Sequence, residues 1–165
     1  MIRSSRLLIA AIVLGLASTS IAHADSLGAG TGAFNRGDYN TAARLLLPQA
    51  ERGNARAQGM VGFMYATGQG LPQAYDAAGY WYRLAAEQGD TTSQYLLGLA
   101  YDKGQGVPQD DVAAYKWLNL AAAHAPRKTR ENFAKLRNAV ASKMSRGQIA
   151  AGQWHALRWP EESPF

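Results

Sequence analysis

The sequence predicts an all-α protein, a short right-handed solenoid of antiparallel helix pairs that ends in a C-terminal helical cap. Two observations support this fold class. Eleven residues recur in the same order after 36 positions, and the apolar side chains inside each copy fall at helical spacing. Stacked helix pairs are typical of such a period, because a single pair cannot bury its apolar face without a neighbour. We expect the solenoid over residues 25–126 and the capping helices with the tail over residues 127–165.

Residues 1–24 are predicted to be a cleaved secretory signal peptide. Two arginines and no acidic residue precede the apolar run 7–17, and the residues Ala22, His23 and Ala24 form the small-x-small pattern that signal peptidase accepts. An uncleaved membrane anchor is the weaker alternative, because the run is shorter than the roughly 20 residues that span a bilayer. We therefore expect cleavage after Ala24 and a periplasmic or secreted mature protein with no transmembrane segment.

Each repeat is predicted to contain two helices joined by a glycine-rich loop. The loop reads GQGLPQ at 68–73 and GQGVPQ at 104–109, so it supplies a glycine that can end one helix and a proline that cannot continue it. Full repeats are expected over about residues 54–89 and 90–125, after a half-repeat over about 27–53. The recurring residues, each matched 36 positions later, are Gly62, Tyr65, Gly68, Gly70, Pro72, Gln73, Ala77, Ala78, Trp81, Ala85 and Ala86.

Helical spacing also indicates which side chains are buried. Trp81 and its counterpart in the next repeat share a face with small alanines and are predicted to pack in the core. The orientations of Tyr82 and Tyr115 stay open. Gly62 and Gly98 lie inside the first helices, where glycine costs roughly 1 kcal/mol relative to alanine, so we expect a close helix contact at both.

The 36-residue pattern stops at Pro126, and the rest of the chain is predicted to be two capping helices. One is a long amphipathic helix, and the other is a short helix that begins after a capping box of Ser145 and Gln148 and stops before Pro160. Residues 127–158 carry eight basic residues and one acidic residue. Such a surface could bind an acidic protein, anionic lipid or a cell-wall polymer, with Arg130, Lys135 and Arg137 as its candidate residues. A solvated face of the cap is the simpler interpretation and the one we favour.

Composition excludes several chemistries. The chain has 165 residues, a formal net charge of +5, 47% hydrophobic residues and no cysteine. The lack of cysteine excludes a disulfide framework, thiolate catalysis, cysteine-ligated zinc and an acyl-cysteine anchor. Removal of the leader leaves 141 residues, which is enough for a core without metals or disulfides.

No group of residues indicates catalysis, a cofactor or a metal. The histidines outside the leader, His124 and His155, have no carboxylate partner at metal-ligand spacing. The glycine-rich stretch 28–32 lacks the lysine of a phosphate-binding loop. Asp110 and Asp111 are adjacent, so their side chains point in different directions, and Asp110 is predicted to cap a helix. We therefore expect no catalytic, cofactor or metal site, and no nucleic-acid partner.

The segments VGFMYATGQGLPQ and AAGYWYRLAAEQGD, echoed by LGLAYDKGQGVPQDDVAAYKWLNLAAAH, resemble Sel1-like repeats, which are relatives of the tetratricopeptide repeat. The resemblance spans roughly residues 37–124. One departure is Ala74, which stands where the second copy has Asp110. The resemblance implies an α/α superhelix whose members usually act as adaptors, regulators or assembly factors by binding other proteins, and it implies no catalysis.

These observations predict a non-catalytic protein-binding adaptor or regulator in the bacterial cell envelope. In this architecture the first helix of each unit normally lines the concave surface, where a partner protein or peptide would bind. The candidate contacts are Gly59, Phe63, Thr67, Tyr95, Leu99, Asp102 and Lys103. Phe63 and Tyr95 are the leading candidates, because aromatic anchors often dominate interface energies.

Three alternatives stay open. If the helix phase is shifted by one position, Phe63 and Tyr95 pack inside the protein. The basic cap could instead make the protein a peripheral binder of anionic lipid or cell-wall polymer. An enzyme that acts on cell-wall material is the third and weakest alternative, because the sequence offers no nucleophile paired with a base.

Overall fold

The structure is a computed structural model that describes residues 26–162. These residues form eight helices, and the described part of the chain contains no strand. In chain order the helices are α1 (26–35), α2 (Tyr39–Glu51), α3 (Ala55–Thr67), α4 (Tyr75–Glu87), α5 (Thr91–Lys103), α6 (Asp111–His124), α7 (Arg127–Ala141) and α8 (Arg146–Glu162). The predicted all-α solenoid is confirmed. The predicted leader and its cleavage site after Ala24 lie outside the described residues.

Helix pairs repeat along the chain as the 36-residue pattern predicts. Helices α3 and α4 pack together as one pair and α5 and α6 as the next, and α4 packs on α5 to join them. The segment predicted as a half-repeat also contains a helix pair, α1 and α2. Its connection is the three-residue turn 36–38, whereas the later pairs are joined by the longer loops 68–74 and 104–110.

Side-chain caps begin most of these helices. Asp38, Asn54, Asp90 and Asp110 each accept a hydrogen bond from a backbone N–H group in the first turn of the helix that follows. At Asp38 the hydrogen bonds from Thr41 hold the pKa of the carboxyl below its usual value. The predicted capping role of Asp110 is confirmed, because its Oδ1 accepts from two backbone N–H groups at 2.9 and 3.0 Å.

Helix α4 is the exception, because Ala74 precedes it and provides no side-chain cap. Its backbone already has the capping geometry, with φ −153° and ψ 104° against −153° and 106° at Asp110. We expect Ala74→Asp to stabilise the protein by about 1 kcal/mol and to raise its melting temperature by about 4 °C. Differential scanning calorimetry tests this, with Asp110→Ala as the control that should lose a similar amount. An unchanged melting temperature for Ala74→Asp beside a lowered one for the control would contradict the prediction.

Glycines inside the first helices allow the close contacts expected of them. A Cβ atom on Gly62 would lie 2.7 Å from the Tyr82 ring, and one on Gly98 would lie 2.7 Å from Leu118 Cγ. The equivalent positions 82 and 118 are therefore the deep core positions of the second helices. Tyr82 is 4% exposed, and its burial raises the pKa of its hydroxyl. Trp81 is half-buried and packs at the margin of the core. In the first repeat the Tyr82 ring is therefore more deeply buried than the larger Trp81 ring.

The two capping helices both pack on α6. The 36-residue spacing continues into the cap although the sequence pattern does not, because α3, α5 and α7 begin at Ala55, Thr91 and Arg127. Helix α7 thus occupies the place of a first helix in a third unit. Its buried stripe includes Val140, which is 1% exposed, with Leu136 packed beside it.

Helix α8 begins with the capping box that the sequence predicts. Ser145 N–H donates to Gln148 Oε1 at 2.8 Å, and Gln148 N–H donates to Ser145 Oγ at 3.3 Å. The prediction of a short helix that stops before Pro160 is wrong, because α8 has 17 residues and ends at Glu162. Its length follows from packing along α6, where a Cβ on Gly152 would lie only 2.8 Å from the Tyr115 ring.

The outer face of α8 is less polar than expected for a terminal unit. Trp154 is 57% exposed and Leu157 is 77% exposed, while Ala156, on the opposite side, is buried in the core. The guanidinium of Arg158 lies 5.5 Å from the Trp154 ring centroid and covers part of it. Within residues 26–162, none of the helices has both the length and the apolar character that a membrane span requires.

Lys143, in the turn between α7 and α8, fastens the cap to the second repeat. Its ammonium lies 2.6 Å from Asp102 Oδ1 and 3.1 Å from Asp111 Oδ1. Hydrogen bonds to these two carboxylates raise the pKa of Lys143 above its usual value. Asp102 lies in the last turn of α5, and Asp111 is the first residue of α6. The Lys143 side chain therefore connects the turn between α7 and α8 to both of these helices.

The raised pKa of Lys143 determines how its contribution to stability changes with pH. Because the folded protein holds the Lys143 proton more tightly than the unfolded chain does, the stabilisation is complete below the lysine pKa of the unfolded chain. It is lost as the pH rises through the higher pKa of the folded state. We expect Lys143→Met to lower the melting temperature near neutral pH and the difference from wild type to shrink in alkaline solution. Lys135→Met, which removes an exposed helical pair, is the control and should change stability less. A pH-independent difference would contradict the prediction.

Candidate functional site

A groove between α1, α3 and α5 is the larger of the two principal cavities found in the described residues. Its volume is about 410 Å³, within the range of sites that hold ligands or peptide side chains. The first helices form this surface, as the architecture predicts. The lining residues are Phe34, Arg56, Gly59, Met60, Phe63, Asp90, Thr92, Ser93 and Leu96.

Two half-buried aromatic rings, Phe34 and Phe63, form one end of the groove. The Phe34 and Phe63 ring centroids lie 5.4 Å apart in an edge-to-face arrangement, and Phe34 makes the same kind of contact with Tyr39 at 5.4 Å. Edge-to-face pairs stabilise one another beyond their buried area, so these rings hold each other in place. The result is a preformed apolar wall.

The floor of the groove is formed where α3 approaches the start of α5. A Cβ on Gly59 would lie 2.5 Å from Ser93 Oγ and 3.4 Å from Asp90 Oδ1. Asp90 already accepts a hydrogen bond from the Ser93 N–H group at 2.7 Å. The Ser93 hydroxyl is fully buried and has no hydrogen-bond partner among the described residues. Arg56 lies exposed at the rim, and none of the carboxylates described between residues 26 and 159 forms an ion pair with it.

The structure brings some of the predicted contact residues together. Gly59 and Phe63 both line the groove. Thr67 is exposed and its hydroxyl donates to the Phe63 carbonyl at 2.8 Å. Leu99 lines a separate cavity of about 80 Å³ beside α4, and Lys103 lies exposed in the last turn of α5. The predicted contacts thus do not form one continuous surface.

Two of the predicted contacts are engaged within the protein, and here the sequence-based expectation needs correction. Tyr95 does not face an open groove, because its ring stacks on Phe133 of α7 with centroids 4.2 Å apart and planes 15° apart. Asp102 forms the ion pair with Lys143. Both positions were expected to be free because the sequence pattern gave no sign that α7 continues the row of first helices.

Several residues of the groove were missed by sequence reasoning. Phe34 lies in α1, upstream of the region where the 36-residue pattern is clear. Arg56, Met60 and Leu96 lie one or three positions from the residues that were singled out, on the same helix faces. Helical spacing from Gly59 and Phe63 could have identified Arg56 and Met60, whereas Phe34 required the fold.

The three candidate residues of the basic cap all have partners inside the protein. Arg130 donates two hydrogen bonds to the Ala125 carbonyl, at 3.0 and 3.3 Å, and so caps the end of α6. Arg137 donates to Asn119 Oδ1 at 3.2 Å. Lys135 pairs with Glu131 at 2.9 Å, and its hydrogen bond lowers the pKa of that carboxyl. These contacts give Arg130 and Arg137 a structural role, whereas the Lys135–Glu131 pair lies on the surface.

The histidine and carboxylate side chains were the candidate metal ligands of this chain. No group of three or more potential metal ligands occurs in the part of the chain that the structure describes. His124 ends α6, as expected, with its Nδ1 3.0 Å from the Leu120 carbonyl, and His155 is exposed on α8. The groove combines the apolar side chains of Phe34, Met60, Phe63 and Leu96 with the polar side chains of Arg56, Asp90, Thr92 and Ser93.

Comparison with known proteins identifies the repeats. A model of the Sel1 repeat family matches residues 55–90 and 91–125. A solved Sel1 repeat protein from Oxalobacter formigenes is similar, with 32% identity and a TM-score of 0.61 over 66% of this chain and 43% of that chain. No curated protein matches the sequence.

A second solved structure is a protective antigen present in uropathogenic Escherichia coli strains, which displays an SLR fold. The TM-score is 0.76 over 86% of this chain and 30% of that chain, and the 24% identity makes this a likeness of fold alone. This chain spans less than half the length of either solved chain. Residues 55–125 are therefore a pair of Sel1 repeats, set in the helical solenoid that these proteins share.

Proposed function

We propose that this protein is a non-catalytic adaptor or regulator that binds a partner protein or peptide through the groove between α1, α3 and α5. The observation that carries the proposal is the groove itself, about 410 Å³ in volume and walled by Phe34, Met60, Phe63 and Leu96. Sel1 repeats generally act as protein-interaction modules. Preformed apolar surface of this kind suits a side chain inserted from a partner, because little has to be ordered on binding.

The envelope is the proposed compartment. The basis is the sequence of residues 1–24, whose charged start, apolar run and small-x-small site are typical of an exported protein. The lack of cysteine is compatible with an oxidising compartment. Whether the mature protein starts at residue 25 can be checked by N-terminal sequencing of the protein from its native cells.

The groove supports binding better than the basic cap does. Arg130 and Arg137 would have to give up hydrogen bonds to the Ala125 carbonyl and to Asn119 before they could bind an anionic lipid or polymer, and Lys135 is paired with Glu131 on the surface. A partner can bind the groove without breaking a contact inside the protein, because the Phe34 and Phe63 rings are already half-exposed and packed against each other.

Site-specific photocrosslinking in the native cells tests the proposal. A photoreactive phenylalanine analogue at Thr92, on the rim of the groove, is expected to give an adduct with the partner. The same analogue at Tyr80, which is 59% exposed on α4 and outside the groove, should give none. Adducts from position 128 in the cap and none from position 92 would overturn the proposal and favour the anionic-surface alternative.

Phe63→Ala is expected to reduce the Thr92 adduct about tenfold or more, because a central aromatic anchor often carries a large share of the binding energy. Leu99→Ala is the matched control, since Leu99 is the counterpart of Phe63 in the second repeat and lies outside the groove. Thermal melts of both variants confirm that they stay folded. Equal loss of the adduct in both variants would contradict the assignment of the groove.

A further inference from the structure

The two Sel1 repeats differ at the floor of the groove, where Gly59 in the first repeat corresponds to Tyr95 in the second. At this position the Cβ direction is toward the next first helix in both repeats. A Cβ on Gly59 would meet Ser93 and Asp90 at the start of α5, and the Tyr95 ring stacks on Phe133 of α7. The position is therefore the same in space as well as in sequence.

This difference explains why the first repeat has an open groove at this position and the second does not. Between α5 and α7, the ring of Tyr95 occupies the space between neighbouring first helices. Between α3 and α5, glycine supplies no side chain, so Ser93 Oγ approaches the backbone of Gly59 and no ring fills the groove that these two residues line. The second repeat thus shows which kind of group fits between two first helices of this solenoid, namely a flat aromatic ring.

Polar groups at the floor add a second requirement. The Ser93 hydroxyl points toward the space above Gly59 and lacks a hydrogen-bond partner, whereas nearly all buried polar groups in proteins have one. Tyrosine and tryptophan rings carry a hydrogen-bonding group that phenylalanine lacks. A ring with such a group would complete the hydrogen bonding of Ser93.

The charge at the rim indicates what lies beside the ring. Asp90 is engaged as the cap of α5, whereas Arg56 has no carboxylate partner among the side chains described in residues 26–159. Arg56 is therefore the charged side chain at the rim that can pair with an acidic group of a partner. A carboxylate complements Arg56 best, because guanidinium and carboxylate groups form paired hydrogen bonds.

We propose that the groove binds a partner segment that inserts a tyrosine or tryptophan ring above Gly59 and places a neighbouring carboxylate against Arg56. This inference rests on the proposed function and names the chemistry of the partner. The carboxylate is either that of an adjacent aspartate or glutamate or that of the chain terminus, and the test distinguishes these two sources.

Selection from random peptide libraries on the immobilised protein tests the inference. One library presents peptides with blocked C-termini and the other presents free C-termini. We expect enriched peptides to carry tyrosine or tryptophan beside an acidic residue in the first library, or as the last residue in the second. Gly59→Tyr, which supplies the ring from the protein itself, should enrich none of them.

Two variants that leave the fold less affected keep the test informative. Arg56→Glu should remove the preference for a carboxylate, retain the preference for the ring and weaken a selected peptide about fivefold. Ser93→Ala should remove the discrimination of tyrosine and tryptophan against phenylalanine. Either effect, if absent, overturns the corresponding part of the inference.

Phe63→Ala separates this inference from the proposed function. If the enriched peptides depend on Phe63 but share no aromatic residue, the groove binds peptides and the inference about the ring is wrong. If no enriched peptide depends on Phe63, both the inference and the proposed function fall.

Discussion

Cutting the chain after Pro126 is expected to produce a protein that aggregates and has no cooperative thermal transition. The cut removes α7 and α8, both of which pack on α6. Tyr115, Trp117 and Leu118 of α6 are each at most 6% exposed in the whole protein, in clusters that include residues of the two capping helices. Without the cap, these side chains would face water.

The expected effect is large compared with the stability of a domain of this size. Burial of a large apolar side chain contributes roughly 1.5–3 kcal/mol, and a whole domain is stable by only about 5–15 kcal/mol. Circular dichroism melts and light scattering measure the outcome. A chain that ends at Glu162 retains both capping helices and serves as the control. A soluble Pro126 product that melts cooperatively near the wild-type temperature would show that α6 needs no cap.

Gly106→Ala is expected to destabilise the protein by at least about 3 kcal/mol, which corresponds to a melting temperature lower by roughly 10 °C. Gly106 lies in the loop between α5 and α6, and a Cβ there would collide with the backbone carbonyl of Tyr75 at the start of α4. The colliding group is main chain in a neighbouring repeat, so it can move only if the repeats separate. Gly70 makes the same contact with the carbonyl of Tyr39.

Gly37→Ala is the matched control for this substitution. Gly37 has a φ of 79°, close to the 71° of Gly106, but a Cβ on Gly37 would meet nothing within 4 Å. Its cost should therefore be that of the left-handed backbone alone, about 1 kcal/mol. Chemical denaturation compares the two variants. Equal losses of stability would show that the contact between repeats contributes nothing.

Much of the local structure could be predicted because its causes lie within a few residues. The loop glycines at 68 and 104 end α3 and α5 in the left-handed conformation, with φ of 71° and 64°. Asp110 caps α6 through its own side chain, and Ser145 with Gln148 does so at the start of α8. Each of these interactions spans at most four residues, so the amino-acid pattern is sufficient to identify it.

The candidate site could be predicted only in part. The sequence predicted that a partner binds the first helices with Phe63 as an anchor, and these helices and Phe63 do line the groove. It misjudged Tyr95, because the same helix face is open in one repeat and covered by α7 in the next. Helical spacing predicts the direction in which a side chain points. Only the tertiary structure shows whether another helix lies in that direction.

The sequence by itself determined the helical units, their period and their ends, since apolar spacing, glycines, prolines and capping side chains act locally. Only the tertiary structure decided that α7 continues the row of first helices without the repeated residues. A helix can take that place with any side chains that bury a compatible apolar stripe, as Phe133, Leu136 and Val140 do. The groove above Gly59 was also decided by the tertiary structure. Its walls come from residues up to 62 positions apart, Phe34 to Leu96, which meet only after the helices stack.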